Sequence, residues 1–226
     1  MPSRFALSLV AAAVVACAAP QPSPAPATAA ASPAATPTAS ATAAALPNGA
    51  RRFAIVTERS MATIRVREQV AAIPAPGDAI LTTRAFSGTV VLLPDGAFAN
   101  GSTFAADLDA LKSDEPLRDE WIKFNTLNTR VYPRAEFTLV RISGVPMPIA
   151  AQGDWTATLE GTLKIHGVER PLAWLVQVPW SAGVVRVRGA TAFKFGDYGM
   201  AVPANRLVLS VVDDVRLEID LVARES

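Results

Sequence analysis

Apolar and polar positions alternate with a period of two over most of the chain beyond residue 50. This is the pattern of strands that turn one face to a core and the other to water. Trp155, Ala157, Leu159, Gly161, Leu163 and Ile165 fall on one face, with Thr156, Thr158, Glu160, Thr162 and Lys164 on the other. No helix sorts residues this way. The same sorting sets Ala62, Ile64 and Val66 against Thr63, Arg65 and Arg67. It also sets Val215, Leu217, Ile219 and Leu221 against Arg216, Glu218 and Asp220, and Val185, Val187, Thr191, Phe193 and Phe195 against Arg186, Arg188 and Lys194. Weaker segments at residues 86–93, 103–109, 135–142 and 172–178 bring the count to eight.

Turn chemistry separates the segments at Pro94-Asp95-Gly96, at residues 144–148, at His166-Gly167 and at Ser181-Ala182-Gly183. Connections this short favour antiparallel neighbours. The one long stretch without strand character is 113–132, where Ser113 and Asp114 suit a helix cap, Pro116 a first turn and residues 118–127 a short helix. The chain therefore reads as all-β with one short helix, an eight-stranded antiparallel up-and-down β-barrel of lipocalin-like build. Such a barrel is filled by side chains or holds one small ligand. A two-sheet sandwich satisfies the same periodicity.

The first fifty residues follow other rules. Arg4 precedes an apolar run at 5–16, the layout of a secretory signal peptide, and the run is shorter than the roughly 20 residues that span a bilayer. Val14-Val15-Ala16-Cys17 resembles the lipobox of bacterial lipoproteins, which implies a signal peptide at 1–16 and a lipid on Cys17. The alternative is a plain signal peptide with a soluble product. Residues 17–50 are almost wholly Ala, Pro, Ser and Thr without charge, an uncharged tether with nothing to bury. Its reach is roughly 30 Å as a coil and up to about 100 Å extended. The folded domain is then 51–226, exported to the cell envelope and anchored on the outer side of the cytoplasmic membrane, or in the periplasm or outer membrane.

Charge and composition narrow the chemistry. With 21 basic and 20 acidic residues the net charge is +1, so no positive field exists to neutralise nucleic-acid phosphates. One cysteine and one histidine make neither a disulfide nor a soft-ligand metal cluster. His166 falls in a predicted turn, where a surface role outweighs a catalytic one. Asp107, Asp109, Asp114, Glu115, Asp119 and Glu120 lack the spacing of a calcium loop. No nucleophile elbow, phosphate loop or dinucleotide fingerprint occurs. No catalytic residue and no metal ligand are assigned.

Four stretches carry a resemblance. Leu111-Lys112-Ser113-Asp114-Glu115 is followed by Arg118-Asp119-Glu120 and then by Tyr132-Pro133-Arg134-Ala135-Glu136-Phe137. Residues 160–172 read Glu-Gly-Thr-Leu-Lys-Ile-His-Gly-Val-Glu-Arg-Pro-Leu, and Asp197-Tyr198-Gly199-Met200 and Phe86-Ser87-Gly88-Thr89 complete the set. In their order along the chain they resemble the YceI family, polyisoprenoid-binding or lipocalin-like barrels of the bacterial envelope, over nearly all of residues 52–223. There is one departure: many members carry an Arg two positions before the Asp of the third motif, where this chain has Phe195 beside Lys194.

The resemblance implies that the barrel binds a polyisoprenoid, an isoprenoid quinone or a fatty acyl chain for carriage or storage, with no other cofactor. The inward candidates for that contact are Phe104, Phe137, Leu139, Trp155, Leu159, Trp174, Val176, Val187 and Phe193. From the residues alone they serve equally as core. Arg118, Asp119, Glu120, Gly167, Asp197 and Gly199 read as structural, ordering a helix and turns at the barrel end. The partners expected are the lipid and, through Cys17, a membrane; a homodimer enlarging the cavity is left open. Two alternatives stand beside the carrier. One is a cyclase- or isomerase-type barrel enzyme needing an inward ionisable residue, for which Glu68 and Arg141 are the only nominees, both at segment ends. The other is a filled barrel with an interaction or stress-response role, favoured by a cavity below roughly 300 Å³.

Overall fold

The computed structural model describes residues 46–150 and 152–226. The expected signal peptide, Cys17 and the expected tether up to residue 45 lie outside the described residues. Ten strands form one antiparallel sheet: β1 (Arg51–Ile55), β2 (Met61–Val70), β3 (Gly77–Thr83), β4 (Phe86–Leu92), β5 (Thr103–Asp107), β6 (Arg134–Ser143), β7 (Gly153–Ile165), β8 (Val168–Ser181), β9 (Val184–Phe193) and β10 (Val208–Glu225). Eight of them, in the order β1-β4-β5-β6-β7-β8-β9-β10, close into a ring where β1 meets β10. A closed barrel, not a sandwich, is the outcome.

The 18-residue β10 makes this closure. One edge pairs with β9, while the other pairs with β1 at Ala223 to Glu225 and with β2 from Val208 to Asp220. Strands β1 and β2 thus lie end to end, and β4 and β3 follow them in the same way, β4 against β1 and β3 against β2. At the first break a 3-10 turn (Thr57–Arg59) interrupts the ladder. Buried Ser60 repairs it there: its hydroxyl donates to the Val56 carbonyl at 2.8 Å and accepts from the Val222 amide at 3.0 Å. The eight-strand path expected from periodicity is present, with its first two strands each broken in two. The periodicity reading counted no strand at β1 or at β3. In β3 the inward residues are Ala79, Leu81 and Thr83, but outward Ile80 masks the alternation.

Strand β3 has no strand on its far edge; a single bridge joins Thr82 to Lys112. The segment between β5 and β6 crosses that gap as helix α1 (Pro116–Ile122) and one π turn (Lys123–Leu127). The expected cap moves: Glu115 accepts from the Leu117 amide, while the Ser113 amide and hydroxyl both donate to Asp119 at 2.8 and 2.6 Å. None of the described helices is long and apolar enough to cross a membrane.

The interior is packed from the end where the domain begins and finishes. The Arg51 guanidinium lies 4.2 Å over the Trp180 ring, which meets Phe53 edge-on at 5.2 Å. Val178, Val176 and Trp174 continue inward along β8, each almost fully buried. Trp174 meets Phe137 edge-on at 6.1 Å, and Phe137 packs on Phe104 at 5.3 Å. Gly161 makes room for this layer, because a Cβ there would stand 2.6 Å from the Phe137 ring. All strands, the ring closure and the buried cluster lie within 51–226, so this segment carries a complete core and folds as a unit.

Outside the barrel, Asp220 on β10 accepts hydrogen bonds from Arg186 on β9 and lies 3.5 Å from Arg188. The Arg186 guanidinium holds the Asp220 carboxyl below its usual range. A depressed carboxylate stabilises the fold above its unfolded pKa and loses that contribution as pH falls through the folded value. Asp220→Asn should therefore lower Tm at neutral pH, and its deficit should shrink as pH drops below about 4. Thermal unfolding across that range checks this; an equal deficit in acid and at neutrality would contradict it.

Candidate functional site

Above the aromatic layer the packing stops. A cavity of about 710 Å³ opens at the end formed by the β2–β3 hairpin, α1 and the chain between β9 and β10. Its wall is apolar: Ile64 and Val66 from β2, Ala79 and Leu81 from β3, Trp121, Ile122 and Leu127 from the helical segment, and Val211, Val215 and Leu217 from β10. Ile165 and Phe193 contribute from β7 and β9. One residue pair deeper along β7, Leu163 stands opposite Phe137 in the buried core cluster. The two broken strands account for the vacancy. The short β4 and β5 surround only the floor, and the wall above them is the β2–β3 hairpin and the bridging helix, which stand apart instead of pairing.

Charge reaches the cavity only at its rim. Glu68, at the end of β2, accepts from Arg118 of α1 at 3.1 Å, and Arg118 also pairs with Asp114. This ion pair ties the helix to the barrel across the gap. Asp119 holds the Ser113 loop, and Glu120 is exposed on the helix. Arg141, the other nominee for an inward ionisable group, lies at the packed end, where it donates to the Asp95 carbonyl at 3.0 Å.

The turn motifs meet beside the mouth. His166 and Gly167, both at positive φ, form the two-residue turn between β7 and β8, as right-handed strand twist requires. Tyr132 packs on both: its ring lies 5.0 Å from the His166 ring, and a Cβ on Gly167 would come within 2.6 Å of it. His166 Nδ1 is 3.2 Å from the Tyr198 carbonyl oxygen. Asp197 accepts from the Lys194 amide at 2.9 Å and caps the turn Phe195–Tyr198, which Gly199 ends at φ +66°. Lys194 serves here through its backbone, and Phe195 lines the cavity. Among the described residues no group of three His, Cys, Asp or Glu is placed to hold a metal ion.

Of the nine inward residues nominated from periodicity, Phe193 stands on the cavity wall. Phe104, Phe137, Leu139, Leu159, Trp174 and Val176 lie in the buried core cluster below it, and Trp155 and Val187 pack against that cluster. Strong alternation selects tightly paired strands, and those strands enclose the filled half. Ile64, Val66, Ile165, Val215 and Leu217 fall on apolar strand faces that periodicity marks but were not among the nominees; the wall residues with no periodic signal come from β3, from the helix and from residues 203–211. A usable signal was the uncharged apolar run Val70-Ala71-Ala72-Ile73-Pro74-Ala75-Pro76-Gly77, which no surface hairpin needs.

A shallower depression of about 520 Å³ lies on the outer face of β8, β9, β10 and β2. Its charged residues Arg188, Arg216, Glu218 and Asp220 are occupied by one another in ion pairs.

Comparison with known proteins gives a consistent picture. The model of a family described as the YceI-like domain matches residues 53–223. No curated protein matches the chain. Among solved structures, a polyisoprenoid-binding domain from Saccharophagus degradans, implicated in plant cell wall breakdown, superposes with a TM-score of 0.59 at 14% identity, covering 77% of this chain and 98% of that one. BcnA of Burkholderia cenocepacia gives 0.55 at 17% identity, covering 74% and 98%. A Campylobacter jejuni YCEI protein gives 0.51 at 19% identity, covering 65% and 84%. At these identities the likeness is one of fold.

Tyr198, edge-on to Phe193 at 4.7 Å, is buried with its hydroxyl unpartnered among the described residues. Burial pushes its phenol up to about 12, Asp197 adds to the rise and Arg170 opposes it. Because burial penalises only the ionised phenolate, stability holds up to the ordinary pKa near 10 and is lost as pH climbs from there toward the folded value. Tyr198→Phe should raise stability by about 1 kcal/mol, or about 2–4 °C in Tm. It should also remove part of the alkaline loss; a lower Tm in thermal unfolding would show that the hydroxyl has a stabilising partner.

Proposed function

The chain belongs to the YceI-like domain family, and we propose that it binds one long apolar or amphiphilic lipid, such as a polyisoprenoid, an isoprenoid quinone or a fatty acyl chain, for carriage or storage in the envelope. The observation that carries this is the apolar cavity of about 710 Å³ at one end of the barrel. It falls within the roughly 300–1,000 Å³ of sites that enclose a small molecule, well above the size that favours a filled barrel. Covering an apolar chain gains roughly 25 cal/mol per Å² of its surface, so the wall needs no polar clamp. The Glu68–Arg118 pair at the rim leaves room for a polar headgroup outside the apolar space. The polyisoprenoid-binding domain of Saccharophagus degradans, alike in fold, supports the same ligand class.

Residence in the envelope and anchoring through Cys17 belong to this proposal and rest on the sequence of the first fifty residues. An enzymatic reading has less support, because the ionisable side chains on the cavity wall stand at its rim and several are paired with one another.

The test is native mass spectrometry of residues 46–226 produced in a bacterial periplasm, followed by solvent extraction. A stoichiometric isoprenoid or acyl lipid is expected. Ala79→Trp, which pushes an indole into the cavity, should abolish co-purification while the protein stays folded. A ligand-free mass that persists after incubation with quinones and polyprenols would reject the carrier reading.

A further inference from the structure

Three residues of the cavity wall are at the same time among the most exposed apolar side chains of the molecule: Ile73 at the β2–β3 turn is 55% exposed, Leu117 on α1 is 75%, and Leu207 before β10 is 74%. They stand on three separate elements around the mouth. Exposed Leu209 and Val212 extend the patch down the outer flank of β10. The apolar surface of the cavity therefore continues over the rim onto the outside along the β2–β3 turn and the segment before β10, while the polar groups of the mouth, Glu68, Asp114, Glu115 and Arg118, gather on the side of α1.

Charge follows the same division. Residues 70–77 carry no ionisable side chain, and residues 199–212 carry one, Arg206, which also lines the mouth. The outer face of the barrel is by contrast covered with ion pairs, among them Arg65 with Glu218, Arg186 with Asp220 and Arg216 with Glu218. The third element, α1 with the two residues before it, carries Asp114, Glu115, Arg118, Asp119 and Glu120 around Leu117. The bilayer-facing part of the rim is therefore the pair of segments 70–77 and 199–212, which project aliphatic tips and hold one cation whose guanidinium can meet phosphate.

We propose that the rim of the mouth docks on a lipid bilayer, so that the bound chain passes between cavity and membrane without crossing water. The occupant is a membrane surface and not a second copy of the chain. Three protruding tips around an open hole offer no flat matching face, and a protein seated there would close the route into the cavity. The inference rests on the carrier reading for its purpose, but its test is independent of it.

The experiment is flotation of residues 46–226 with vesicles of equal parts phosphatidylethanolamine and phosphatidylglycerol, beside calorimetric binding of farnesol in solution. The wild type should float. Ile73→Asp combined with Leu207→Asp should reduce partitioning about a hundredfold, as expected when two aliphatic side chains no longer leave water. Leu209→Asp, which spares the cavity wall, should weaken flotation and leave farnesol affinity unchanged, so that a folding defect is not mistaken for lost docking. Flotation without farnesol binding would uphold docking while removing the carrier reading. A wild type that binds farnesol yet stays off vesicles would overturn docking and leave the carrier standing. Equal flotation of wild type and double variant, or a dimer that the double variant dissolves in the absence of flotation, would overturn it as well.

Discussion

Closure of the sheet depends on the reach of β10. A barrel has no free edges only if its last strand meets its first along their length. Here the first strand is interrupted, and β10 spans the interruption by pairing with β1 beyond it and β2 before it. Ser60 carries the hydrogen bonding across the break. Everything else follows from that arrangement. Below the break the ring is complete and the side chains interdigitate. Above it the wall is a hairpin whose only strand partner among the described residues is β10, and the opposite side is a helix.

The two halves differ in how their side chains meet. In the lower half Trp180 meets Phe53, Trp174 meets Phe137, Phe137 packs on its cross-strand neighbour Phe104, and Gly161 on β7 gives up its side chain so that Phe137 fits. In the upper half the inward residues are mostly aliphatic and come from elements that stand further apart. Close packing is the rule inside proteins, so an apolar space of this size at one end requires a framework that holds its walls open. That framework is the set of tied turns around the mouth: Tyr132 against His166 and Gly167, His166 near the Tyr198 carbonyl, Asp197 on the Lys194 amide, and Arg118 bridging Glu68 and Asp114.

Much of this was legible in the sequence, for reasons that also explain what was not. The alternation from Trp155 to Ile165 named the inward face of β7 because that strand has partners on both sides, so every inward position from Ala157 to Ile165 is buried and Trp155 is half-buried. Gly167, Asp197 and Gly199 were readable as turn residues because positive φ and capping restrict which side chains serve. The cavity wall was less legible. Beside residues on the alternating strands β2, β7, β9 and β10, it draws on β3, whose outward Ile80 blurs the period, on a helix followed by a π turn, and on residues 203–211, the first five of which precede β10. Periodicity reports where side chains are packed; a vacancy is a property of how elements are spaced, which no single segment encodes.

The β2–β3 hairpin is joined to the rest of the sheet along one edge only, with β3 reaching Lys112 through a single bridge. Opening a closed barrel elsewhere means breaking a whole ladder, whereas an outward swing of this flap on β10 would break that bridge and the Glu68–Arg118 pair and uncover Val66, Ala79 and Leu81. Local openings of this kind are the low-energy fluctuations of a native protein, far below the free energy of unfolding. The breathing rate of one hairpin, and not the stability of the barrel, would then govern how fast a guest enters or leaves, and a rigid host could exchange its contents without loosening its core.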